Sequence, residues 1–188
     1  QQREHEAGRQ TIAMGTRIND MVEYQPVDGN NMGKVRQLNS VLFPVRYSGP
    51  FYRGLLLPGQ FAQVAVYGNS TYVGTIACRK QALGFVTEPL AASRCNGNGS
   101  EMLEVYMMTL GVLAPYRRLG IGRQLLAHAI EFAAQDPKVH RVVLHVQIDN
   151  DDALRFYHKH GFSTQRMVER YYKNIDPPHA YLLEYRLK

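Results

Sequence analysis

The sequence predicts an α/β fold: a mixed sheet with helices on both faces, its strands arriving as a β-rich first half followed by a β-α-β-α-β run. Three observations carry this. Two β-rich runs, Phe61 to Tyr67 and Tyr72 to Arg79, flank the turn signal Gly68-Asn69-Ser70-Thr71. From Arg141 to Ile148 the chain is nearly uninterrupted Val, Leu and Ile with one His and one Gln, the pattern of a strand covered on both faces. A helix separates that strand from the one before it, and a strand-helix-strand unit within about 45 residues is right-handed with its two strands parallel.

The elements follow in order. Thr16 to Tyr24 reads as a first strand, broken by Pro26 and Asp28-Gly29-Asn30. Gly33 to Phe43 places Val35, Leu38, Val41 and Leu42 at helical spacing and stops at Pro44, and a second short helix fits between Pro50 and Leu57. Strands two and three are the runs around Gly68. Thr87 to Ser100, with Pro89 and Asn96-Gly97-Asn98-Gly99, is a long loop of small polar residues. Met102 to Leu110 is strand four. The next helix carries Ile121, Leu125, Ala129 and Phe132 along one face and ends near Asp136-Pro137. After strand five, Asp151-Asp152 opens a helix bearing Ala153, Phe156 and Tyr157 that Gly161 closes, and Tyr181 to Leu187 is the last strand.

Composition narrows the function classes. With 188 residues, 45% apolar and 20% charged, the chain has the balance of one globular domain, expected over residues 15–188 behind a flexible extension 1–14. No apolar run reaches the roughly 18 to 20 residues needed to cross a bilayer, so no membrane role is expected. Cys78 and Cys95 form neither a disulfide framework nor a metal motif, which points to reducing cytosol. The net charge of +6 suits a phosphorylated cofactor or ribosomal RNA, but Lys and Arg are scattered. Without an arginine-rich tract interleaved with aromatics, direct nucleic-acid recognition is not expected. His158 and His160 diverge on a helix and have no acidic or Cys partner nearby, so no metal is expected.

Arg117-Arg118-Leu119-Gly120-Ile121-Gly122 follows a strand and opens a helix, where unpaired amides and the helix dipole make an anion site and glycines admit a diphosphate close to the backbone. This run resembles the acetyl-CoA signature of the GNAT superfamily. Phe43-Pro44-Val45-x-Tyr47, Met108 through Gly122, Leu144-His145-Val146-Gln147-Ile148 and Tyr171-Tyr172-Lys173 together resemble the catalytic subunit of NatE-type N-terminal acetyltransferases, over nearly everything from Gly15 to Lys188.

The resemblance implies a mostly antiparallel seven-stranded sheet with strands four and five parallel at its centre. It implies acetyl-CoA as cosubstrate, held by Leu110, by the backbone from Arg118 through Arg123, by Arg117 supporting the loop, and by Asn150 and Tyr157. Asn150 serves nearly as well as the cap of the helix it precedes, and Tyr157 fits as a residue packed on the sheet. Ligands of open α/β sheets settle beyond the carboxyl ends of the strands, where Leu110 and Ile148 are expected.

Acetyl transfer to an amine requires a neutral amine, removal of its proton and polarisation of the carbonyl. The resemblance assigns Tyr106 and His145 to a water-mediated proton relay. His titrates near about 6.5 and Tyr near about 10, which favours His145 as base and leaves the division between them open. By the same resemblance Phe43, Pro44, Val45, Tyr47, Met108, Tyr171, Tyr172 and Ile175 border the peptide, apolar walls suiting a first Met followed by an apolar residue. Nascent N-termini, the NatA complex and the ribosome are the implied partners, in the cytoplasm and also the nucleus. Acetylation of lysine, or a mainly noncatalytic role beside NatA, are the competing readings.

Overall fold

In the computed structural model, which describes residues 21–68, 70–85 and 102–187, seven strands hydrogen-bond in the order β1-β2-β3-β4-β5-β7-β6. In chain order the elements are β1 (Val22–Pro26), α1 (Met32–Leu42), α2 (Gly49–Gly54), β2 (Gln60–Tyr67), β3 (Thr71–Ala82) and β4 (Leu103–Val112). A 3₁₀ turn (Ala114–Tyr116), α3 (Ile121–Ala134), β5 (Val139–Gln147), α4 (Asp151–Lys159), β6 (Ser163–Val168) and β7 (Ala180–Arg186) complete them. The extension 1–14, residues 16–20 of the first expected strand, Asn69, Cys95 and the 87–100 loop lie outside the described residues. β4 and β5 pair in parallel, whereas β1 with β2, β5 with β7 and β6 with β7 pair antiparallel.

The chain divides into two compact units, the described part of Gln1–Cys78 with Thr109–Ala129, and the described part of Arg79–Met108 with Ile130–Lys188. In the first, α1 and α2 bury Val35, Leu38, Tyr52 and Leu55, β2 and β3 bury Val64, Val66, Val73 and Ile76, and α3 buries Ile121 and Leu125. Gly74 allows α3 to approach β3 closely: a Cβ there would meet Leu125 Cδ1 at 3.2 Å and Ile121 Cγ2 at 3.3 Å. Pro26 does not break β1; it is the strand's last residue, paired with Gln63. β1 is an edge strand, where proline's missing donor costs no ladder bond.

In the second unit, Val105 and Met107 of β4 and Val142, Leu144 and Val146 of β5 are buried with Tyr157, Phe162 and Leu183. Buried charge also organises this unit. Glu104, wholly buried, accepts from Arg141 Nη2 at 2.7 Å, Arg141 Nε at 2.9 Å, Gln81 Nε2 at 2.8 Å and the Gly84 amide at 3.2 Å. Arg141 Nη1 reaches Glu184 at 2.7 Å, and Arg186 takes that carboxylate's other oxygen. Burial pulls the Glu184 carboxyl upward, but the hydrogen bonds and charges of Arg186 and Arg141 outweigh it and hold it below its ordinary range. β3 runs to Ala82, beyond the Arg79 expected from its apolar run, with Gln81 joined to this network.

Candidate active site

The residues expected to handle the proton meet in the second unit. Period-two alternation on β4 buries Val105 and Met107 and leaves Tyr106 half-buried on the opposite face. The parallel register sets Tyr106 opposite Val143, so His145 follows two residues further along the same face of β5. Tyr106 Oη lies 3.1 Å from His145 Nδ1. Tyr171, from the connection between β6 and β7, stacks on the imidazole with 4.1 Å between ring centroids and 15° between planes. Its hydroxyl lies 2.7 Å from that of Tyr106. Arg79 of β3 places its guanidinium 5.3 Å from the Tyr106 ring centroid and 5.7 Å from that of Phe85.

Burial pushes His145 down to about 4, and the charge of Arg166 adds to the shift. Burial, with Tyr171 and then Tyr172 adding to it, raises the Tyr106 hydroxyl well above its ordinary range against the opposing charge of Arg79. At neutral pH the pair is therefore an uncharged imidazole beside an uncharged phenol, and the imidazole tautomer sets which of the two donates. The connection carrying Tyr171 is tied down at several points. Gln147, at the end of β5, donates to Pro177 O at 3.0 Å, and the Ile148 amide donates to His179 O at 3.2 Å. Tyr172 N donates to Pro178 O at 2.9 Å and Arg170 N to His179 Nδ1 at 3.3 Å.

The expected phosphate loop lies in the first unit. Beyond the 3₁₀ turn, Arg118 (φ 62°) and Gly120 (φ 88°) adopt left-handed conformations before α3 begins at Ile121. Such alternation gathers successive amides into a concave nest, and the first amides of the helix have no partner within it. Arg117 Nε donates to Val112 O at 2.9 Å, joining the loop to the end of β4, while buried Ile121 anchors the helix. A nest, a helix start and flanking arginines fit the diphosphate of coenzyme A.

The remaining predicted residues divide between the units. Asn150 Oδ1 accepts from Ala153 N at 3.1 Å, capping α4, and buried Tyr157 donates to Met107 Sδ at 3.6 Å. Phe43 stands edge-on to Tyr47 at 5.9 Å, and Tyr47 stacks on Phe51 at 4.4 Å. Pro44 and Val45 are exposed; Leu110, Met108 and Ile175 are half-buried. Tyr172 stands edge-on to Tyr171 at 4.9 Å. Sequence reasoning missed Arg79, Arg166, Phe51, Gln147 as a brace and Gly111 as a spacer. Of these only Phe51, four residues beyond Tyr47, carried a signal.

The mixed sheet with β4 and β5 parallel, and the amide nest that opens α3, define the class as an acyl-CoA-dependent transferase. The Acetyltransferase (GNAT) family profile matches residues 39–162, and the chain belongs to that family, acting with acetyl-CoA. It is 37% identical over 167 residues to the "Probable N-acetyltransferase san" of Drosophila melanogaster, covering 89% of this chain and 82% of that one. It is 36% identical to "N-alpha-acetyltransferase 50" of Danio rerio, covering 89% of each. Among solved structures it is similar to Arabidopsis thaliana Naa50 in complex with the bisubstrate analogue CoA-Ac-MVNAL. There the TM-score is 0.73 at 36% identity, covering 87% of this chain and 97% of that one.

Proposed function

We propose that this enzyme acetylates the α-amino group at the start of protein chains, with a preference for Met followed by an apolar residue. The observation that carries this reading is the pairing of His145 with Tyr106 at 3.1 Å, where burial lowers the basicity of the imidazole. An imidazole whose conjugate acid titrates at about 4 does not draw a proton from a resting ammonium. It accepts one only as the new N–C bond forms and the nitrogen becomes strongly acidic, so the amine arrives already neutral. An α-amine, with a pKa near about 8, is neutral at physiological pH far more often than lysine near about 10.4, a difference of roughly 3 kcal/mol.

Acetyl-CoA supplies the activated thioester when bound; the chain's own residues hold and move the proton. Relatives at 36–37% identity that carry the N-acetyltransferase and N-alpha-acetyltransferase names support the α-amine, and the Met-Val start of the analogue bound to the Arabidopsis protein supports the first residue. The stacked Tyr47 and Phe51 beside Phe43 in one unit, and the Tyr171–Tyr172 pair in the other, are each aromatic surfaces that suit such a side chain.

Purified enzyme with acetyl-CoA is expected to modify a peptide beginning Met-Leu faster than an N-blocked peptide with one lysine. Equal rates, or faster lysine modification, would sink the α-amine assignment. Coenzyme binding without turnover would favour the noncatalytic reading. The motif resemblance further supports action beside the NatA complex on cytoplasmic ribosomes, to be tested by co-sedimentation of tagged enzyme with ribosomes in lysate; absence from the ribosomal fraction would refute it.

A further inference from the structure

We infer that the Tyr171 hydroxyl is a catalytic group, the outer end of a proton wire that runs from the substrate amine through Tyr106 to His145. This rests on the amine-acetylation reading above and adds a residue to its chemistry. Tyr106 has a single hydroxyl proton and two partners, His145 Nδ1 at 3.1 Å and Tyr171 Oη at 2.7 Å. In the tautomer with the proton on Nε2, Nδ1 accepts from Tyr106, and Tyr106, its one proton used, accepts from Tyr171. In that tautomer all the donors point one way, toward the base.

Access points the same way. Tyr171 is 38% exposed, whereas Tyr106 and His145 are half-buried, and the Tyr171 ring covers one face of the imidazole at 4.1 Å. The Tyr171–Tyr106 hydrogen bond is exposed, whereas the Tyr106–His145 bond is partly buried. The ties at Gln147–Pro177 and Tyr172–Pro178 hold this phenol in place before substrate arrives, which limits the reorganisation needed in the reacting complex.

The step balances as follows. The nitrogen lone pair forms the N–C bond, and the C–S pair leaves with sulfur. The N–H proton passes to Tyr171 Oη, the Tyr171 proton to Tyr106 Oη, and the Tyr106 proton to His145 Nδ1. Each tyrosine ends with one proton as it began. The imidazolium then gives its proton to water or to the departing thiolate, and the wire resets.

The test is a double-mutant cycle of Tyr171→Phe and Tyr106→Phe, which keep both rings, read as kcat and peptide KM with the Met-Leu peptide. Tyr171→Phe is expected to lower kcat about 10- to 100-fold, with KM changed less than threefold. Because links in series fail together, the double variant should be no slower than the slower single one. Proton inventories in mixed H₂O/D₂O should bow in the wild type, reporting several protons in flight, and straighten in Tyr171→Phe. A raised KM with kcat intact, or losses that multiply in the double variant, would make Tyr171 a peptide-binding group alone and overturn the inference. If the wild type prefers lysine peptides, the α-amine assignment falls while the same cycle, run on that substrate, still decides the wire.

Discussion

Gly111 sits where β4 meets the aromatic loop, and replacing it with Ala tests whether that loop sets substrate choice. A Cβ at this position would lie 2.9 Å from Phe43 Cζ, 3.2 Å from Phe43 Cε1 and 3.1 Å from Leu42 Cδ1. Carbon pairs rest at about 3.5–4.0 Å, so the ring must retreat by roughly 0.6 Å or more. Phe43 cannot retreat alone, since it stands edge-on to Tyr47 and Tyr47 stacks on Phe51. Overpacking of this kind costs about 1–3 kcal/mol, and at about 2–4 °C per kcal/mol for a chain of this size the melting temperature should fall by roughly 2–12 °C. If Phe43 borders the first substrate residue, the preference for Met-Leu over Ser-starting peptides in kcat/KM should drop about tenfold, the scale a single apolar contact supplies. Melting by circular dichroism and paired peptide assays measure both, and Gly111→Ala/Phe43→Leu should recover stability because the smaller side chain vacates the contact. A Gly111→Ala enzyme with unchanged melting and unchanged selectivity would refute the reasoning.

Two further outcomes follow from the site. His145 titrates near about 4 when folded and near about 6.5 when unfolded, so between those values the unfolded chain binds the extra proton and stability falls as pH drops through the window. His145→Gln should abolish most turnover and flatten the decline of melting temperature from pH 6.5 to 4; an equally steep decline would show that other groups cause it. Gly120 is left-handed at φ 88°, so Gly120→Val should raise the KM for acetyl-CoA at least tenfold while moving peptide KM much less. Equal shifts in both would place the loop's effect elsewhere.

What the sequence reveals depends on whether a residue's neighbours are local. The uninterrupted apolar run located β5 to within two residues at either end, and the turn residues around Gly68 located β2 and the start of β3, because burial on both faces and a tight turn each demand particular side chains. β6 offered no such signature. Five of its six residues are exposed, it lies at the sheet's edge, and its sequence shows no alternation. The last residues of β3 were missed for a different reason. Gln81 is polar because it donates to Glu104 across the sheet, a partner 23 residues away that no local pattern announces.

The same distinction separates the loop before α3 from the tyrosine–histidine group. Gly120 was legible as a phosphate-loop residue because its backbone conformation is one that few other residues adopt, yet Arg118, two residues earlier, takes a left-handed φ of 62° with nothing in its side chain to reveal it. That strain in a non-glycine residue persists only where the surroundings over-determine it, and the Arg117 tie to Val112 together with buried Ile121 supplies such a constraint on either side. The acid-base group is the opposite case. Tyr106 and His145 could be placed on adjacent strands from pattern alone, but the alignment that brings their polar atoms to 3.1 Å is a matter of register. Tyr171 reaches the pair from 65 positions beyond Tyr106 through a connection held by Gln147. Backbone-made binding can be read from residue type, whereas a proton path made of side chains depends on the register that the folded sheet supplies.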